Sequence, residues 1–274
     1  MPKKTKKKMD ETAVAVVEKQ ETTLATLDLG KSSGGGRQEA DADCYLIPQI
    51  KLLQKMSPEV DSDKAEFIKG AKPGMFLLTT TGELFDGEEG ILVVPAEFQR
   101  RFLEFVPEDQ GGGFRGAHLP TAPLVIEAAP TRDEKGRFWL ENGNYLQDAR
   151  VHYVIFLHPI MARPAVITLK STQIKKSKKW LSAMAEPLAL GDGNFNTDPD
   201  CEFRVYRLTC RPESNDQYTW KGYNIDVDRV VNPADPGDVQ AVHAARAFRD
   251  QIAGGRTKVD YEDEDMTKKI STDF

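Results

Sequence analysis

The sequence predicts a mainly β fold of α+β type, with one Lys-rich helix, one C-terminal helix and disordered ends. Three observations carry this expectation. Runs rich in β-branched and aromatic residues, such as Val151-His152-Tyr153-Val154-Ile155-Phe156-Leu157, are bounded by turn residues. The 274 residues include 21 Gly and 16 Pro, which favour turns over long helices. Two stretches place apolar residues at three- and four-residue spacing, one opening at Ser171-Thr172 and one over residues 236–253.

In chain order, residues 1–40 open with Pro2-Lys3-Lys4-Thr5-Lys6-Lys7-Lys8 and close with Ser32-Ser33-Gly34-Gly35-Gly36. They offer too little apolar surface to offset the entropy of ordering, so a disordered basic arm is expected. Gly30-Lys31-Ser32 matches the end of a P-loop, but Ala25 stands where its first Gly belongs and a Gly run follows where a helix should begin. A single folded domain is expected over residues 41–253. It starts with an extended segment at residues 45–54, a strand at 75–80, and a long strand at 90–106. The long strand alternates Phe98, Arg100 and Phe102 on one face with Glu97, Gln99 and Arg101 on the other. Gln110-Gly111-Gly112-Gly113-Phe114-Arg115-Gly116 reads as a flexible loop. Residues 137–140 and 145–146 flank Asn142-Gly143, which suits the positive backbone angles of a tight hairpin turn. Residues 149–157 and 164–169 form an antiparallel pair, because the connection is short. Ser171 and Thr172 can cap the following helix, which turns Ile174, Ser177, Leu181 and Met184 to the sheet. Residues 188–200 read as a loop, and 201–211 with 218–227 as a second hairpin. The terminal helix of residues 236–253 offers Val239, Val242, Ala245, Ala247 and Phe248 for packing and ends at Gly254-Gly255. Residues 254–274 form a flexible acidic tail.

Lys and Arg number 37 against 43 Asp and Glu, a formal charge of −6 that excludes a uniformly basic nucleic-acid binder but permits a polarised one. Positive charge gathers at residues 3–8 and 170–179, negative charge at 260–265. Three cysteines, none in a C-x-x-C pair, fit a reducing compartment. His152 and His158 flank an apolar strand without a second ligand cluster and are read as structural, so no metal and no cofactor are expected. No apolar run is long enough to span a membrane and none follows the basic N-terminus, so an intracellular protein without membrane partners is expected.

Lys170, Lys175, Lys176, Lys178 and Lys179 meet no acidic residue before Glu186. They read either as a solvated helix face or as a phosphate-binding ridge, with Trp180 as a stacking platform or a core anchor. Arg100 and Arg101 beside Phe102 suit unpaired bases, or guard a strand edge. The hairpin of residues 201–227 interleaves Arg204, Tyr206, Arg207, Tyr218, Trp220, Lys221 and Tyr223, the pattern of a surface that alternates phosphate contacts with base stacking.

Leu46-Ile47-Pro48, Leu52-Leu53-Gln54, Ser57-Pro58-Glu59-Val60, Gly70-Ala71-Lys72-Pro73-Gly74, Val93-Val94-Pro95 and Phe98-Gln99-Arg100-Arg101-Phe102 resemble a group of tailed-phage early proteins. The acidic tail ending in Asp273-Phe274 is similar to those of phage and bacterial single-stranded DNA-binding proteins. The resemblance covers residues 44–230 loosely and the tail by type. It implies an OB-like antiparallel barrel, and a tail whose Asp263, Glu264, Asp265, Asp273 and Phe274 recruit a polymerase or helicase. Lys268 and Lys269 interrupt the acidic stretch, a departure that makes recruitment less secure than DNA binding.

The expected function is sequence-independent binding of single-stranded DNA in phage replication, recombination or repair, in the host cytoplasm and compatible with a homo-oligomer. The DNA site is expected among Arg100, Arg101, Phe102, Trp139, Lys170, Lys175, Lys176, Lys178, Lys179, Trp180, Arg204, Tyr206, Trp220 and Tyr223. A strand-annealing recombinase and a virion structural or assembly protein are the alternatives. Asp226 and Asp228 lack the Glu-x-Lys partner of a nuclease pair, so no catalytic residue is expected.

Overall fold

The computed structural model describes residues 44–159, 161–191, 193–257, 259 and 261. The expected N-terminal arm and the tail residues Asp263, Glu264, Asp265, Asp273 and Phe274 lie outside the described residues.

Two long strands set the architecture of the folded unit. β4 (Ile91–Phe105) and β7 (Tyr145–Leu157) run antiparallel from the pair Val93↔Phe156 to the pair Phe105↔Tyr145. Pro95, which has no N–H to give a ladder, sits at a bulge between Pro95 and Glu97. Side chains alternate with a period of two, so the extra residue switches faces. Val94 before the bulge and Ala96 within it pack on the outer cluster, as do Leu103 and Phe105 after it.

β8 (Ala162–Lys170) pairs with β7, and β11 (Arg204–Ser214) returns to pair with β4 through Tyr206↔Val93. The spatial order β11-β4-β7-β8 is that of a Greek key. β12 (Thr219–Val230) pairs with β11, β5 (Phe114–His118) with β4, and β6 (Arg137–Trp139) with β7, which completes a seven-stranded sheet. The sheet does not close into a barrel, because no ladder joins β8 to β12 among the described residues.

β1 (Ile50–Leu52) lies along that opening. With β2 (Phe76–Leu78) and β3 (Glu83–Phe85) it forms a separate three-stranded sheet. A parallel bridge Gln49↔Val166 ties it to β8, and the Tyr223 hydroxyl donates to the Ile50 carbonyl at 3.2 Å. The Gln54 side chain both accepts from the Lys221 N–H and donates to the Lys221 carbonyl, each at 2.9 Å. A side-chain amide therefore satisfies edge groups of β12 that a closing strand would have bonded.

The inner cluster, with Phe76, Val93, Val154, Ile167, Trp180, Tyr206 and Leu208, is sealed by α2 (Ile174–Met184). The outer face, with Leu103, Val151, Tyr153 and Ile155, is covered by α3 (Pro236–Ala253) through Ala241, Ala245 and Phe248. α3 begins as its sequence requires, with the Asp235 side chain accepting from the Gly237 N–H at 2.8 Å. Ala247, expected in its packing face, is exposed. α2 departs further from expectation. Gln173 is its N-cap residue and makes no side-chain cap bond, so neither Ser171 nor Thr172 caps it.

β5 and the hairpin of β9 (Leu188–Gly191) with β10 (Asn194–Asn196) begin or fall in stretches read as loops, and α1 (Pro123–Glu127) forms in a stretch to which the sequence pattern assigned no element.

Candidate nucleic-acid interface

A groove of about 330 Å³ follows the open seam, along β1, the end of β8, the start of β12 and the residues that lead into α2. Lys51, Lys170, Lys221 and the partly buried Trp220 line it together. Lys51 takes the outward position of β1, between the inward Ile50 and Leu52, and pairs with Glu59 at 3.0 Å. Ser171, between the groove residues Lys170 and Thr172, has φ of +49°, the single positive φ outside glycine among the described residues. Its hydroxyl accepts from Gln147 Nε2 at 3.1 Å. This left-handed residue turns the chain sharply from strand into helix, so that the groove abuts the amino end of α2. The first-turn N–H groups there add a positive field.

Beside the groove, Glu213 accepts from Trp220 Nε1 at 2.9 Å and pairs with Lys176 at 2.5 Å. Burial pushes its carboxyl up, but hydrogen bonds from Lys176 and Trp220 outweigh burial and leave it below the usual Glu range. Lys175, Lys178 and Lys179 are exposed on α2.

Most of the expected stacking rings are not available. Trp180 is 1% exposed, stacked on His152 at 4.3 Å and edge-on to Tyr206 at 5.7 Å. Tyr206 is 1% exposed, and Tyr223, though it borders the groove, is buried with its hydroxyl bonded to Ile50. Phe102 is buried against Phe138. A ring with no open face cannot take a base, so these four are core residues. Arg204 is buried as well. It donates to the carbonyls of Met184, Glu186 and Pro187 at 3.1, 2.7 and 3.1 Å, and so caps the end of α2.

Arg100 and Arg101 do not line the groove. Arg100 grips Asp148 with two hydrogen bonds of 3.1 and 2.8 Å, and Arg101 donates to Gln99 and to the Arg100 carbonyl. Trp139 lines a different cavity, of about 380 Å³, with Glu104, Glu127 and Glu141. Such walls repel phosphate. Of the expected site, the fold brings Lys170 and Trp220 to the groove, with Lys176 beside it. Lys51 and Lys221 complete it.

His152 is structural, as its place in an apolar strand implied. Burial, then the Arg150 charge, pushes its pKa down to about 3, and Nε2 is bonded to the Ser177 hydroxyl at 2.8 Å. Asp228 is held by Arg207 and Arg229, and Asp226 by Asn224. No three His, Cys, Asp or Glu side chains among the described residues are grouped as a metal ion requires. No helix among them is long and apolar enough to cross a membrane.

The model of the Pam3 phage gp34-like proteins matches residues 17–258, a span that contains every groove residue. The chain belongs to the Pam3 phage gp34-like family. No curated protein and no solved structure matches it. Family membership makes this a phage protein. It assigns neither an OB fold nor a ligand.

Proposed function

We propose that this gp34-like chain is a single-stranded DNA-binding protein of phage replication, recombination or repair, which grips the strand along the seam groove without sequence preference. The observation that carries the reading is the convergence of Lys51, Lys170, Lys221 and Trp220 on one groove. Ammonium groups on flexible stems meet phosphates as point charges, and an indole face accepts any base, so the site is suited to a backbone with variable bases.

The topology supports the same reading. An OB fold is a partly open five-stranded Greek-key barrel, which binds oligonucleotides on its second and third strands and on the loops between strands one and two and strands four and five. With β4, β7, β8, β11 and β12 as the five strands, β7 and β8 are the second and third. The turn at residues 214–219 is then the four-five loop. The groove lies between β8 and that hairpin, and the tip adds Tyr218, which is 68% exposed.

Tryptophan fluorescence titrated with oligo-dT at several salt concentrations tests the proposal. Trp180 is sealed and Trp139 sits among carboxylates, so Trp220 is the indole expected to respond. Quenching should be strong, weaken steeply with salt and largely disappear in Trp220→Phe. Absence of both quenching and retention on single-stranded DNA at low salt would overturn the reading in favour of a protein-binding role in virion assembly.

A further inference from the structure

We infer that Glu213 is an intramolecular stand-in for a nucleic-acid phosphate, occupying Lys176 and Trp220 until a bound strand displaces it. The inference rests on the single-stranded DNA reading of the groove and concerns what regulates entry to it.

The seat of the carboxylate has the chemistry of an anion site. Lys176 Nζ lies 2.5 Å from Oε1, and Trp220 Nε1 donates to Oε2 at 2.9 Å. These donors stand at the amino end of α2, a helix of 11 residues whose field favours negative charge. A charged amine and an indole N–H are equally suited to phosphodiester oxygens. Trp220 also lines the groove, so the seat and the proposed strand path share its side chain.

The neighbouring backbone makes room for this arrangement. A Cβ on Gly222 would lie 2.3 Å from Glu213 Cδ and 2.5 Å from Oε2, so only glycine lets the carboxylate rest there. The pair is not sealed, since the side chains of Lys176 and Glu213 are 30% and 21% exposed and a strand can reach them.

Exchange conserves charge at the seat. A phosphate takes the place of a carboxylate, Lys176 changes partner, and Glu213 moves to solvent. A small anion gains little from that exchange, because it must displace an equal charge already in place. A polymer touches Lys51, Lys170 and Lys221 at the same time, and the linked contacts raise its effective concentration at the Glu213 seat. The stand-in thus selects strands over isolated phosphates.

Dissociation constants for oligo-dT, measured across a salt series, test this. Glu213→Gln keeps an acceptor for Trp220 and removes only the competing charge. It should bind roughly tenfold tighter, about the size of one charge-assisted contact. The slope of log K against log salt should steepen by about 0.7, because no freed carboxylate remains beside the strand to take back one of the released cations. Adding Lys176→Gln should cancel both gains. Gly222→Ala, which evicts the carboxylate without altering charge, should move affinity in the same direction by less, and it carries the test should the Gln variant fail to fold. If Glu213 merely positions the Trp220 ring, its loss will weaken binding or leave the slope unchanged, and the stand-in is overturned while DNA binding stands. A wild-type chain that does not bind oligo-dT overturns both.

Discussion

Two tryptophans stand at opposite kinds of surface, although their local sequences look alike. Trp139 follows Arg137 and Trp220 precedes Lys221, and each indole donates to a carboxylate, Asp133 at 3.1 Å and Glu213 at 2.9 Å. The difference lies in what the fold adds. Around Trp139 it brings Glu104, Glu127 and Glu141, and it engages Arg137 with Asp133 at 2.9 Å. Around Trp220 it brings Lys51 from β1 and Lys170 from β8. A ring beside a cation is therefore common ground for two surfaces of opposite sign, and the strand partners decide which one forms.

The contrast is broken most decisively by removing the lysines. Changing Lys51, Lys170 and Lys221 together to Gln should weaken oligo-dT binding on the order of a hundredfold or more at low salt, as three charge-assisted contacts imply. It should also flatten the salt slope by about 2. Arg137→Gln, the corresponding change at the other tryptophan, should alter neither affinity nor slope. An equal response at the two ends would show that total charge, and not the groove, governs binding.

Truncating the rings gives a smaller effect that separates stacking from charge. Trp220→Ala should cost about 1–3 kcal/mol of binding with little change in salt slope, the signature of one lost stacked base. Trp139→Ala should lower the melting temperature and leave the dissociation constant unchanged, because its ring packs on Tyr145 at 5.7 Å inside a carboxylate-lined cavity.

The same contrast shows why some of this was legible in the sequence and some was not. Strand alternation and helix spacing are local, so β4, β8, the Asn-Gly hairpin and α3 are readable from their own residues. β7 is longer than expected, because the arm at Tyr145 continues without a break into the central strand. β3, β5 and α1 span 3, 5 and 5 residues, too few for a periodic pattern to show. At the site, Lys170 and Trp220 were legible from charge density and aromatic interleaving. Trp180, Tyr206 and Tyr223 carry the same pattern for another reason: their rings fill the core, and of the three it is Tyr223 that bonds through its tip, to the Ile50 carbonyl. Trp180 also falls three residues after Ser177, on the buried stripe of α2. Lys51 was not legible, since a three-residue strand of a separate sheet says nothing about which seam it will fill.

The smallest expected effect sharpens the comparison from the acidic side. Glu104, whose side chain is 14% exposed, pairs with His118 at 2.8 Å and accepts from Asn144 Nδ2 at 2.5 Å. Burial pushes its carboxyl up, but the hydrogen bonds from Asn144 and His118 outweigh it and hold the folded value below the ordinary 4.5. A depressed folded value means that the unfolded chain takes up the proton first. The stabilisation is therefore complete above the ordinary carboxylate range and is lost as pH falls through the lower, folded value. It should amount to about 1 kcal/mol, since the bonds replace others made with water. Melting temperatures across the acid range should show that part of the pH dependence vanish in Glu104→Gln, while oligo-dT affinity at neutral pH stays at the wild-type level. Tighter binding in this variant would mean that the acidic end repels the strand at a distance, and that the two surfaces act on one ligand through the field between them.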